Sequence, residues 1–236
     1  DNIPYKTTLR GTADRYAWAV RDGDVCGSYS LAVNTWTMLG LLCTPDDPAT
    51  VSSVFGDDLD QSQYGVSWVM YEWDAATDSY IQLSLFDQLS QNKGYWILSL
   101  DAASLDVDGV VTEVIISTEC PVQQGCYEIP LTPPASGETE QYNMVGHTFP
   151  GTVTIPWKDV RIKAGGAVYT PAEAALSINN IMDETIWLYN DTVYYPYNED
   201  TPGMVGQLTA FDGFWVRVLP GAPADITLLL PKVPAS

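Results

Sequence analysis

One histidine, His147, is the only imidazole in the 236 residues. Any serine–histidine–aspartate or cysteine–histidine device would therefore have to be built on it. It follows Met144-Val145-Gly146 on a predicted strand, where an earlier stretch of chain carries Leu41, and that position marks a structural residue rather than a general base. No GxSxG, HExxH, P-loop or GxGxxG pattern occurs. Paired carboxylates can hydrolyse glycosides, but with 30 acidic residues such pairs arise without selection for chemistry. The chain reads as a non-enzyme.

Three acidic loops have the oxygen-rich alternation that suits calcium: Asp22-Gly23-Asp24, Asp57-Asp58-Leu59-Asp60 and Asp106-Val107-Asp108-Gly109. None completes an EF-hand, and Asp-Gly is ordinary turn chemistry. No cofactor is expected, with calcium the one ion these loops leave open. Asn190-Asp191-Thr192 is formally a glycosylation sequon and reads as a turn.

Aromatic residues are a further source of chemistry, with 8 Trp and 14 Tyr. Trp68, Trp96, Trp187 and Trp215 recur in two stretches of the chain, which points to core positions. Trp18, Tyr194, Tyr195 and Tyr197 do not recur and are the candidates for stacking on a ligand. Alternation along residues 194–197 exposes at least one ring if one strand face is buried. Trp157, Lys158, Arg161 and Lys163 sit in an insertion that concentrates three of the ten basic residues. They predict a hairpin that presents cations and an indole to an acidic partner. The extended segment around Ile3, Tyr5 and Leu9 could add to a neighbour's sheet edge.

Composition bounds the rest. Ten basic against 30 acidic residues leave a formal charge of −20, a surface that repels nucleic acid and anionic lipid. The four cysteines, Cys26, Cys43, Cys120 and Cys126, include no CxxC pair and predict disulfides in an oxidising compartment. Of the three pairings they permit, the two sequence-local bridges are preferred. No apolar run reaches the length of a membrane span. With no leader sequence before Asp1, the chain reads as an exported protein whose signal peptide has been removed.

The elements that must position these residues come from an internal repeat. Residues 88–96, QLSQNKGYW, align without gaps on residues 207–215, QLTAFDGFW. Met38-Leu39-Gly40 matches Met144-Val145-Gly146, Asp47-Pro48-Ala49 matches Thr170-Pro171-Ala172, and Trp68 matches Trp187. Asp47 and Thr170 read as helix N-caps, with Glu173 completing a capping box, so each copy is expected to hold one short helix, near 47–56 and 170–180. The remainder reads as strands. The expected fold is all-β: two tandem β-sandwich or barrel-like modules, residues 1–110 with an N-terminal strand extension and 111–236 with an inserted hairpin near 151–169. A linker is expected at 108–141.

The order Trp36-Thr37-Met38-Leu39-Gly40, a capped helix, Trp73-Asp74 to Tyr80, and Lys93-Gly94-Tyr95-Trp96 resembles a bacterial module of the pattern GWNLIG…YDxxxxxW…GKGYW. That module occurs, often in tandem, in large secreted and surface proteins. The second copy departs from it at Tyr142 and at Asp212-Gly213-Phe214-Trp215. The resemblance implies an extracellular accessory role and supplies no catalytic residue. Together these readings predict a secreted structural or surface protein that assembles with itself into a filament, sheath or adhesive layer through its terminal strand and inserted hairpin. Its partners would be copies of itself or other surface proteins. The alternative is an extracellular polysaccharide-binding module.

Overall fold

The computed structural model describes residues 25–151, 153–190, 192–198 and 206–232. Ile3, Tyr5, Leu9, Trp18 and the Asp22–Asp24 loop lie outside them. The described residues form an all-β protein with two short helices.

In the first module, β1 (Val25–Leu31), β2 (Thr35–Gly40), β3 (Thr44–Pro45), β4 (Trp68–Asp74), β5 (Ser79–Gln82), β6 (Gly94–Ser99) and β7 (Ala103–Val110) make two antiparallel sheets, ordered β2-β6-β4-β5 and β1-β7-β3. Helix α1 (Val51–Phe55) buries Val51, Val54 and Phe55 in the core between them. Strand alternation selects that core: Trp68 and Met70 of β4, and Tyr95 and Ile97 of β6, point inward.

The second module repeats the plan. Its strands are β8 (Cys126–Pro130), β9 (Gln141–Gly146), β10 (Ile155–Pro156), β11 (Arg161–Ala164), β12 (Ala167–Tyr169), β13 (Ile186–Tyr189), β14 (Tyr194–Tyr197), β15 (Gln207–Leu208), β16 (Gly213–Val218) and β17 (Thr227–Pro231). The main sheets run β14-β13-β16-β9 and β12-β11-β17-β8, and β10 pairs with β15. Helix α2 (Pro171–Ala175) has the expected reciprocal box between Thr170 and Glu173. In α1 the cap is Thr50 rather than Asp47, because the Thr50 side chain accepts from the Ser53 amide and Ser53 reaches back to the Thr50 amide.

Register fixes the true correspondence of the copies. Met38 pairs with Trp96, which pairs with Tyr71. Met144 pairs with Trp215, which pairs with Trp187. Trp96 and Trp215 are therefore equivalent, but the counterpart of Trp187 is Tyr71, not Trp68. Trp68 belongs to the first module's core, whereas Trp187 lies on the opposite face of its sheet. The expected linker also contains structure. Strand β8 lies within it because β17 supplies a hydrogen-bonding edge from Cys126 to Pro130; on either side, 111–125 and 131–140 are turn and loop apart from a bridge at Ile115.

Both sequence-local disulfides are present, Cys26–Cys43 and Cys120–Cys126, with Cα separations of 6.1 and 5.6 Å. The expected inserted hairpin is β11–β12, turned by Gly165 and Gly166 at φ of +58° and +79°. Two consecutive positive φ values are what a two-residue hairpin of this hand requires, and glycine meets them without strain. Among the described residues no helix is long and apolar enough to cross a membrane.

The modules meet through the repeated glycines. A Cβ built on Gly40 would stand 2.5 Å from the Gly146 Cα, and one built on Gly146 would stand 2.6 Å from the Gly40 Cα. Gly40 N donates to Phe211 O (2.9 Å), which joins the two modules where they cross, and His147 N donates to Asp212 O (2.7 Å) within the second. Beside the crossing, Gln91 is buried and fully engaged. Its Oε1 accepts from Thr44 Oγ1 (3.0 Å), and its Nε2 donates to Thr148 O (2.9 Å) and to Thr112 Oγ1. These bonds join both modules and the chain between them.

Candidate functional site

Each of the two facing sheets is apolar on both sides. The inward faces mix aliphatic side chains with rings such as Trp68, Tyr95 and Phe214, and the outward faces carry a second set of aromatic rings. Met38, Trp96, Met144 and Trp215 form a buried cluster between the modules, flanked by Tyr71, Trp73, Tyr142, Trp187 and Tyr189. The recurring Trp96 and Trp215 are thus buried, but between modules rather than inside either one.

This aromatic layer is only partly closed and leaves two pockets. The first, about 370 Å³, sets Trp36, Tyr71 and Trp96 of the first module against Tyr189 and Tyr194 of the second, with Tyr80 at the rim. The second, about 450 Å³, sets Tyr142, Trp187 and Trp215 against Trp73 and Tyr80, with Tyr194 at the rim and the Asp78 carboxyl added. The correspondence is residue for residue, as the register requires. Trp36 matches Tyr142, Tyr71 matches Trp187, Trp96 matches Trp215, Tyr189 matches Trp73 and Tyr194 matches Tyr80. Ring geometry repeats as well. Trp96–Tyr189 centroids are 4.9 Å apart at 79° and Trp215–Trp73 centroids 5.2 Å at 82°, while Trp36–Trp96 and Tyr142–Trp215 are both 6.3 Å apart at 88° and 84°. An approximate two-fold relation between the modules has made one pocket into two.

Tyr80, Tyr194 and Trp36 remain 49%, 44% and 38% exposed, so the pockets are accessible. Burial, reinforced by Tyr80, raises the Tyr194 hydroxyl well above the usual phenol range and keeps it a neutral hydrogen-bonding group. Trp73 Nε1 donates across the junction to Tyr142 O (2.9 Å), whereas Trp96 Nε1 is buried with no acceptor among the described residues. A separate cavity of about 380 Å³ lies beside Trp73, but polar groups in its wall are already paired: Lys93 with Glu72 at 2.7 Å, and Asn143 with Thr132.

Of the stacking candidates, Tyr194 lines both pockets. Tyr195 packs against the second module's core and Tyr197 is buried in it, because alternate residues of β14 face inward. The inserted hairpin does not present an indole. Trp157 is fully buried in a short 3-10 turn, with Nε1 donating to Glu184 O (2.8 Å). Lys163 is held by Glu119 at 2.7 Å, and the Arg161 guanidinium turns back onto the Lys158 and Val160 carbonyls. Lys158 is exposed. Sequence reasoning did not single out Trp36, Tyr71, Tyr80, Tyr142, Trp73 or Tyr189 as site residues. One legible signal was that Trp73-Asp74 leading to Tyr80 parallels Tyr189-Asn190 leading to Tyr194.

The acidic loops converge in part. Asp46, Asp47, Asp57, Asp106 and Asp108 line a cleft of about 240 Å³. Asp58 Oδ2 accepts the Asp106 amide at 2.8 Å, while burial and the Asp106 carboxyl push Asp58 up to about 7. Among the described residues no three His, Cys, Asp or Glu side chains converge as a metal-holding group.

His147 is fully buried, its Nδ1 accepting the Phe149 amide (3.3 Å) and its Nε2 without a partner among the described residues. Burial drives its pKa from 6.5 down to about 4. The folded state therefore binds fewer protons than the unfolded chain between those values, so its contribution is present above pH 6.5 and is lost as pH falls toward 4. Its counterpart Leu41 is equally buried. His147→Leu is thus expected to gain roughly 2 kcal/mol over the parent at pH 5 relative to their difference at pH 7.5. Urea melts of both proteins at the two pH values measure this. Asp58 and Asp212, raised by burial to about 7 and about 6, slope the opposite way but are common to both proteins. An unchanged difference would mean that His147 is protonated in the fold.

No family model matches the chain, and neither a curated protein nor a solved structure matches it.

Proposed function

We propose that the chain is a non-catalytic extracellular binding protein whose site is the twin-pocketed aromatic furrow between its modules, and whose ligand is a surface or matrix polysaccharide. The observation that carries this reading is the duplication of an open aromatic pocket, in which the rings shared by both halves are the half-exposed Tyr80 and Tyr194. Solvent-facing rings of this size gain nothing by staying exposed, whereas a ligand with apolar CH faces and hydroxyls can use both the ring and the phenol. Two disulfides fit an oxidising compartment, and the charge of −20 argues against polyanionic ligands. The lone histidine is neutral, buried and away from the furrow, which supports a role without proton transfer.

The test is retention on a panel of neutral and basic extracellular polysaccharides. Tyr80→Ala with Tyr194→Ala is expected to abolish retention while leaving the melting temperature within a few degrees, since both rings are half-exposed. Retention that survives in the double variant would reject the furrow as the site.

Self-assembly is the second reading, favoured by Val110, Val111, Ile115 and Ile116 at 58%, 56%, 52% and 75% exposure on the segment between the modules. Sedimentation of the same samples at rising concentration decides it. Association that persists in the double tyrosine variant supports assembly, and a monomer at every concentration removes it.

A further inference from the structure

We infer that the two pockets are cation–π cages for quaternary ammonium groups, so that the ligand is a polymer bearing choline-type substituents. This rests on the furrow being the binding site and specifies its chemistry.

The rings are the first argument. A flat pyranose favours one ring face, or two parallel ones. Here neighbouring rings meet nearly edge to face: 79° and 90° for Trp96 with Tyr189 and Tyr194, and 82° and 80° for Trp215 with Trp73 and Tyr80. Mutually perpendicular walls suit a rounded group. A trimethylammonium head presents methyl groups of partial positive charge in every direction to the negative faces of the rings. At about 370 and 450 Å³ the pockets have room for such a head and the chain that carries it.

Charge is the second argument. No basic side chain lines either pocket, and the second includes the Asp78 carboxyl. Asp78 occupies a left-handed turn position at φ +51°, just before β5. The surrounding charge of −20 concentrates cations at the surface and repels anions.

Because the pockets share Tyr80 and Tyr194, they form one bivalent site. Substituents spaced along a polymer can engage both, and the second then binds intramolecularly.

The test uses the intact protein and follows tryptophan fluorescence during titration with choline chloride, with sodium chloride of equal ionic strength as reference. The neutral isostere 3,3-dimethylbutan-1-ol, in which carbon replaces the charged nitrogen, is the control. The expected result is saturable quenching by choline, at least tenfold tighter than by the isostere. Tyr80→Leu should weaken it tenfold or more. Asp78→Asn should weaken one of the two sites about threefold and leave the other unchanged. Trp36→Ala should remove the first site alone and Tyr142→Ala the second. Equal affinity for choline and the isostere would overturn the cage. Binding of neutral oligosaccharides without choline would overturn the cage and leave the furrow as a saccharide site. If neither binds, both the cage and the polysaccharide reading fall.

Discussion

Gly40→Ala is expected to destabilise the protein by about 3 kcal/mol, the upper end of the usual cost of overpacking. The added methyl would lie 2.5 Å from Gly146 Cα and 2.6 Å from His147 N. Both are backbone atoms held by the crossing's hydrogen bonds, so neither can rotate away as a side chain would. The modules must shift apart, and the Gly40-to-Phe211 bond goes with them. Gly146→Ala meets the mirror-image obstacle in Gly40 Cα and Lys93 O, at 2.6 and 2.7 Å. Once either substitution has separated the strands, the second should cost less, so the double variant should fall well short of the sum. Denaturant melts of the four proteins measure this. A loss under 0.5 kcal/mol in both single variants would mean that the crossing is soft.

The second large effect lies in the aromatic layer. Trp96→Ala and Trp215→Ala should each cost about 3–5 kcal/mol, as truncations of a buried indole. Replacement by phenylalanine separates packing from polarity. Trp96→Phe removes a buried N–H that has no acceptor among the described residues and should cost only the packing of the lost ring volume. Trp73→Phe also removes the 2.9 Å bond to Tyr142 O, leaving that carbonyl the 3.3 Å bond from Gln141 Nε2, at a further cost of about 0.5–1.5 kcal/mol. Equal costs for the two phenylalanine variants would show that Trp96 Nε1 has found an acceptor in solution.

How much of this was legible depended on whether a residue's role was local. The capping box of Thr170 and Glu173 is a four-residue pattern with a four-residue consequence, and it was readable. So were both disulfides, whose partners lie close in sequence. In β6, Gly94-Tyr95-Trp96-Ile97-Leu98 is apolar at every step, so alternation could not say which face meets the module's own core and which meets the other module. Trp96 therefore read as core, which is correct for burial and wrong for place. Trp157 shows the reverse error. Flanked by cations it looked displayed, but the 3-10 turn at 157–159 drops it inward. The pockets combine positions from β2, β4, β5, β6, β9, β13, β14 and β16, which come together where the modules cross near Gly40 and Gly146. The repeat exposed those glycines without exposing what they touch.

Phe211 gives the duplication a direction. It sits at φ +67°, where its counterpart in the first copy is Asn92, and its ring lies in the first module's core, 5.6 Å from Tyr29 and beside Gly27 and Leu42. Among the described residues, every buried member of the second module's own core comes from residues 129–230, so the loan is not returned there. The second module lends a ring and the first borrows it. Excised alone, the first would be left with a phenylalanine-sized hole in its core, so the pairing that creates the twin pockets also completes the module it joins.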